Sequence, residues 1–276
     1  MKKGIYTWFG FVLPFEEKLR LIKAAGFETI CTWWDDLFED LDGKKEYHFE
    51  QAAKAGLLIE HTHLPYFGCN ALWCDGLNGE ELTKRYCKGI EGAADSGIKT
   101  VVMHPFEGQA PVNGNWKAAE KHIRTVAECS AKNRVRLAVE NIGDKYGFIK
   151  IVELLDDNPY AGICFDVGHN HITTPNDFEI LKLFDNKVFA LHVHDNHAAA
   201  DEHLLPQEGT VDWKGFMSAL DKTSFTGSFM LESCYPLDLE GKSSCYIYHE
   251  PPISPKKYLE DAGRRSGNVL KYYGGR

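Results

Sequence analysis

The stretch VFALHVHDNHAAADEHLLPQEGTVDW, residues 188–213, opens as a strand and closes as the start of a helix. Val188, Ala190, Leu191 and Val193 are apolar and partly β-branched, as a buried strand requires. His192, His194, Asp195 and His197 then arrive within six positions, and Asp201 and His203 follow shortly after. A turn at 206–209 leads to Thr210, Val211, Asp212 and Trp213, a helix start. A packed core has no need of so many imidazoles and carboxylates at a strand end. Both groups are common ligands of zinc, manganese and iron, so the stretch reads as the metal-binding end of a strand.

Working outward, the same alternation of strand and helix runs through the chain. Strands are predicted at 4–8, 27–33, 57–63, 98–103, 134–140, 162–166, 187–193 and 229–232. Helices are predicted at 14–25, 46–55, 80–96, 116–132, 147–156, 175–184, 212–222 and 255–272. Such alternation implies a parallel sheet, and eight units close into a (β/α)8 TIM barrel of the α/β class. The length of 276 residues suits one barrel domain spanning 1–276, and no linker or low-complexity tract divides it. An open doubly wound sheet is the rival, but no G-x-G-x-x-G turn follows a strand to support its dinucleotide-binding form.

Composition narrows the function classes. A net charge of -9 argues against a surface for polyanions. The eight cysteines are scattered with no C-x-x-C pair, which fits a reduced, cytoplasmic protein. The segment after Lys2 and Lys3 is interrupted by Gly10 and Pro14, so it reads as a first strand and loop rather than a leader. No apolar run approaches a membrane span, typically ~20 residues.

In a barrel the C-terminal strand ends converge on one mouth. Collected here, they supply His63 (in EHTH, 60–63), His104, Glu140, Asp166 with His169 just after, His192 and Glu232. At these positions the chain resembles the xylose-isomerase-like TIM barrels. That superfamily spans sugar and sugar phosphate isomerases and epimerases, inosose-processing enzymes and the endonuclease IV type of abasic-site nuclease (AP endonuclease family 2). The marks are LAVEN at 137–141, CFDVGH at 164–169, LHVHDN at 191–196, DEHLLPQEGTVDW at 201–213 and FMLES at 229–233.

The resemblance implies one divalent ion (manganese, zinc, cobalt or magnesium) held by Glu140, Asp166, His192 and Glu232. It also implies catalytic roles for Glu140 and Glu232, which would move a proton through an enediolate, and for His169 beside the metal. The expected substrate is then a sugar, sugar phosphate or cyclitol, and the expected activity an isomerase or epimerase. In the nuclease branch up to three zinc ions share a larger set, whose additional members match His63, His104, His169, Asp201 and His203. That makes a multi-zinc phosphodiesterase the alternative. A non-catalytic descendant is the weakest reading, because no ligand position has been lost. Barrels of this group often pair, so the resemblance adds a homodimer to the open choices of oligomeric state.

The loops over the mouth favour a small substrate over nucleic acid. WFGFVLPF, DDLFEDLDGKKEY and LPYFGCNALWCDGLNGE are aromatic and acidic, whereas phosphate contacts need Lys and Arg. Trp8, Phe9, Trp33, Trp34, Tyr66, Phe67, Trp73 and Phe106 are the rim candidates for stacking on a sugar. Lys145 is the cation nearest the end of strand five. The region just after strand seven reads HVHDNHAAADEH and holds no arginine, which departs from the ketose epimerases. The long connection 233–254, with Tyr235, Tyr246 and Tyr248, reads as a lid or a packing segment.

Overall fold

The structure is a computed structural model that describes residues 1–35, 39–235 and 253–274. Its strands are β1 (Lys3–Tyr6), β2 (Thr29–Trp33), β3 (Leu58–His63), β4 (Thr100–Met103), β5 (Arg136–Glu140), β6 (Ala161–Asp166), β7 (Val188–His192) and β8 (Phe229–Leu231). The helices between and after them are α1 (Phe15–Ala24), α2 (Glu39–Asp42), α3 (His48–Lys54), α4 (Leu77–Asp95) and α5 (Trp116–Asn133). They continue as α6 (Lys145–Leu154), α7 (Val167–Thr173), α8 (Glu179–Leu183), α9 (Trp213–Leu220) and α10 (Pro255–Leu270).

The strands are parallel and lie in the order β7-β6-β5-β4-β3-β2-β1-β8. Val193 closes the ring just beyond β7: its N–H donates to Met230 O at 2.9 Å, and its carbonyl accepts from Glu232 N at 2.9 Å. The expected (β/α)8 barrel is therefore the observed one, and the apolar faces of its helices pack on the outside of the strands in one continuous core.

Two registers explain how the mouth is built. Side chains alternate along a strand with period two, so every second residue points into the barrel. Val102, Ala138, Cys164 and Ala190 form one small interior cluster, and Tyr6, Cys31 and Met230 another. Two residues further along the same strands stand His104, Glu140, Asp166, His192, Trp8, Trp33 and Glu232. The apolar filling of the barrel and its polar mouth are thus successive layers of one alternation. Register shifts between Ile30 and Cys31 and between Ile163 and Cys164 leave Glu60 on β3 and Phe189 on β7 as extra residues. Bulges of this kind re-aim the side chains beyond them, here His61, His63 and His192.

The region after β6 departs from expectation. One helix was predicted at 175–184, but α7 starts directly after β6 and a short α8 follows. Asp166 is the N-cap of α7, its Oδ1 accepting from His169 N at 2.5 Å. This turn carries His169 back over the mouth. The sequence VGHNHIT has no helical apolar period, so pattern reading passed over it. The four-residue α2 was likewise read as loop.

The loop after β7 is held by Asp195, which is fully buried. Its Oδ1 accepts from the N–H groups of Asn196 at 3.0 Å and Val211 at 3.1 Å. Its Oδ2 accepts from Gln207 N at 2.8 Å and Trp213 Nε1 at 3.0 Å. Asp195 was read as part of a metal-binding stretch; it is instead the anchor that folds 196–213 back on the barrel. Replacing Asp195 by Ala strands four donors in a buried loop. Urea unfolding of the Asp195→Ala protein is expected to show a loss of about 3 kcal/mol or more. An unchanged midpoint would contradict the anchoring role.

Candidate metal centre

Glu140 lies at the end of β5, fully buried. Its Oε2 is 3.1 Å from His63 Nε2 and 3.1 Å from His104 Nε2. Its Oε1 is 3.3 Å from His169 Nδ1 and 3.2 Å from His192 Nδ1. One carboxylate thus stands among four imidazoles carried by β3, α7, β7 and the residue after β4. His192 Nδ1 also lies 3.0 Å from Glu232 Oε2. Glu140, Asp166, His192 and Glu232 each bring one ligand atom to a common point, all within 4.8 Å of one another.

A second cluster sits alongside. His169, His194, Asp201 and His203 offer ligand atoms within the same 4.8 Å limit. Asp201 Oδ2 is 3.4 Å from His169 Nε2 and 3.1 Å from His203 Nε2. His194 Nε2 lies 3.2 Å from Asp166 Oδ1 and 3.6 Å from Asp201 Oδ1, bridging the two clusters. The His194 ring needs Gly168 beneath it, because a Cβ at that position would lie 1.9 Å from His194 Cε1.

The donors fit a metal on a specific ground. Glu140 Oε1, Asp166 Oδ2, His192 Nδ1 and Glu232 Oε2 are buried, and none makes a hydrogen bond. Buried polar groups are almost always hydrogen-bonded, so several orphaned ligand-type atoms converging on one point fit a cation. The outer contacts agree. His63 Nδ1 donates to Leu64 O at 2.6 Å and His203 Nδ1 to Glu232 O at 2.7 Å, leaving each Nε2 as a lone pair facing the cluster. Asn141 clamps the ends of β5 and β6, donating to Asp166 O at 2.9 Å and accepting from Asp166 N at 2.7 Å.

All nine residues matched to metal ligands in the sequence are therefore brought together. His194, counted with the metal-binding stretch, joins them, and so does His61, which was not matched to a ligand. The signal for His61 was its place two residues before His63 on the same face of β3. His197, counted with the metal-binding stretch, turns away; it is exposed and pairs with Glu202 at 2.9 Å. Of the aromatic candidates, Trp33 packs edge-on to His63 with centroids 5.1 Å apart, and Tyr66 stacks on His104 at 5.0 Å. Trp8 is half-buried and Phe67 exposed, while Phe9, Trp34, Trp73 and Phe106 are core residues. Lys145 is engaged by Asp177 at 3.1 Å and Glu179 at 2.8 Å, which leaves no free charge there for a phosphate. Tyr246 and Tyr248 of the expected lid lie outside the described residues. The described cysteines are all free thiols, and no described helix is long and apolar enough to cross a membrane.

Opposite charges set the ionisation of the cluster. Burial pushes Glu140 upward, but His192, His104 and His169 hold it well below the usual carboxylate range. Burial likewise raises Glu232, and His192 more than reverses this, taking it to about 2. Asp201 is held low against its burial by His203 and His169. Burial lowers His192, yet Cys164, Glu232 and Glu140 carry it well above its ordinary value; Asp166 and Asp201 do the same for His169. Depressed carboxylates add stability above their ordinary values and lose it as pH falls. Raised histidines add stability below their ordinary value and lose it as pH rises. In chelator the chain is therefore expected to be most stable between the ordinary Glu and His values of 4.5 and 6.5. Denaturant unfolding at about pH 5.5 and about pH 8 checks this, and a metal-free chain more stable at the higher pH would contradict it.

The sequence pattern of the xylose isomerase-like TIM barrel matches residues 19–252. The uncharacterized protein y4fM of Sinorhizobium fredii is 30% identical over 206 residues, covering 69% of this chain and 64% of its own, so this chain spans just under two thirds of it. The probable endonuclease 4 of Staphylococcus carnosus is 29% identical over 134 residues, 42% of this chain and 45% of its own. Among solved structures, an L-ribulose 3-epimerase superposes with a TM-score of 0.76 at 16% identity, covering 98% of this chain and 94% of its own. The IolI protein with a bound zinc atom does so with a TM-score of 0.72 at 19% identity, covering 100% of both. At those identities the two structures speak for the fold. The barrel order, the strand-end donors and the extent of the sequence match agree: this chain belongs to the xylose isomerase-like TIM barrel family.

Proposed function

We propose that this protein is a divalent-metal-dependent isomerase or epimerase of a sugar or cyclitol, working through an enediolate. The observation that carries the reading is the meeting of Glu140 and Glu232, from strands three places apart round the closed ring, on the Nδ1 of His192, at 3.2 and 3.0 Å. Asp166 completes a hard, oxygen-rich donor set suited to manganese, cobalt, magnesium or zinc. When bound, such an ion supplies electrostatic stabilisation for negative charge developing on a substrate oxygen. Glu140 and Glu232 are both held ionised, so either can accept a proton from a carbon next to a carbonyl. The partner carboxylate then returns a proton to the neighbouring carbon or to the opposite face. His169, on the first turn of α7, lies between the two clusters and can hold a substrate hydroxyl. Trp33 and Tyr66 offer the apolar faces on which a sugar ring stacks.

A second reading, metal-assisted hydrolysis of a phosphoester, is favoured by one observation. His63 and His104 both face Glu140 Oε2, and with the His169–Asp201–His203 cluster they supply places for further ions. The relative named endonuclease 4 agrees with this; the acidic chain and the engaged Lys145 do not.

Two experiments decide. Metal-loaded protein in deuterated water is expected to place deuterium next to the carbonyl of at least one member of a ketose, aldose and inosose panel. Glu140→Gln and Glu232→Gln are each expected to slow that exchange ~100-fold or more. Either variant at full activity would sink the proposal. Elemental analysis of protein purified without a metal-affinity tag is expected to give about one equivalent of metal per chain. Two or three equivalents of zinc, with cleavage of abasic-site DNA and no deuterium exchange, would establish the second reading in its place.

A further inference from the structure

The proposed chemistry leaves His61 without a task. It stands on β3 two residues before His63, in the interior layer beneath the mouth, whose neighbours include Tyr6, Cys31 and Cys164. It is fully buried. Its Nε2 lies 3.1 Å from His192 Nε2.

Two imidazole nitrogens at hydrogen-bond distance must share a single proton. Two N–H groups would repel, and so would two lone pairs. The other nitrogen of His192 decides where that proton sits. Its Nδ1 faces Glu140 Oε1 at 3.2 Å and Glu232 Oε2 at 3.0 Å, on the side of the donor cluster. A ligating nitrogen offers a lone pair, so the ring proton of metal-bound His192 is on Nε2 and His61 Nε2 accepts it. We infer that His61 is a positioning residue: it fixes His192 as the Nε2–H tautomer and aims Nδ1 into the Glu140–Asp166–Glu232 centre. The inference rests on the metal reading of that centre.

The device differs from those beside it. His63 and His203 are oriented by backbone carbonyls, which accept whatever their surroundings. An imidazole accepts through one nitrogen only, so His61 must itself carry its proton on Nδ1. That nitrogen makes no hydrogen bond. An unmet buried N–H works against folding, so Nδ1 gives no reason for a histidine in this layer. The contact with His192 accounts for the histidine. A neutral partner also leaves His192 an imidazole, whereas a carboxylate partner would make it a more basic ligand. The centre keeps more of its electron-withdrawing power as a result.

The test reads the nitrogens directly. In zinc-loaded parent protein labelled with 15N-histidine, long-range proton–nitrogen spectra are expected to show His192 Nδ1 shifted by the metal and Nε2 protonated. His61 is expected to show a bare Nε2 and a protonated Nδ1. Zinc affinity is followed through the same His192 signals during competition with a chelator. His61→Leu exchanges one unmet buried N–H for another, so it is expected to be about as stable as the parent in chelator yet to bind zinc about 10–100-fold more weakly at His192. His61→Gln, whose amide oxygen can accept the same proton, is expected to recover most of that loss. A merely structural role would lower stability and leave zinc affinity intact. Equal zinc affinity in His61→Leu, or a proton on His61 Nε2 in the parent, overturns the assignment while leaving the metal reading standing. If His61→Leu does not fold, the parent spectrum decides alone. His192 signals that never respond to zinc in the parent overturn the metal reading and this assignment together.

Discussion

A carboxylate with no exposure to water needs compensating partners close by, and Glu140 has the imidazoles of His63, His104, His169 and His192 around it. An isolated buried charge costs several kcal/mol, so the ionised form of Glu140 depends on those neighbours, with His169 and His192 both carried well above their ordinary value. Those four imidazoles come from separate βα units of the chain. The ring of strands must close for them to meet, and the helices must pack outside it to hold the ring closed. The barrel and the site are thereby one requirement. The family's fold serves as the means of bringing imidazoles and carboxylates from distant positions to a single buried point.

The surroundings make that point rigid. The donors sit on strand ends or on the first turn of a helix, and backbone or amide groups hold them from behind. Asn141 ties β5 to β6 through a reciprocal pair of hydrogen bonds. Asp195 gathers four N–H groups and so fixes the loop that presents Asp201 and His203. Ser233 Oγ donates to Leu204 O at 2.8 Å and Cys234 N to His203 O at 3.0 Å, which join the end of β8 to the same loop. A site whose ligands must hold their geometry for chemistry is best carried by such elements. Trp33 and Tyr66 stand directly on this platform, their rings packed against His63 and His104.

Much of this was legible in the sequence because barrels repeat one simple rule. Period-two alternation ends each strand with a residue facing the axis, and a polar residue at that place has few uses other than the site. His63, His104, Glu140, Asp166, His192 and Glu232 could therefore be collected by position alone. Helix α7 could not, because it depends on the Asp166 cap rather than on an apolar stripe. The aromatic residues were harder still: Phe9, Trp34, Trp73 and Phe106 proved to be core, since a large ring at a strand end suits a barrel wall as well as a rim.

By itself the sequence determined the (β/α)8 order, the strand-end donors and the residues whose types suit a divalent ion. Only the tertiary structure decided what each donor faces. Asp195 and Asp201 are the same residue type six positions apart, yet one is turned into backbone N–H groups and the other toward two imidazoles. His61 and His63 share a strand face, yet one touches Glu140 and the other supports His192 from below. The physical reason is that a lone pair has a direction. Residue type sets which groups can bind, while the bulges, caps and loop closures of the folded chain set which way they point.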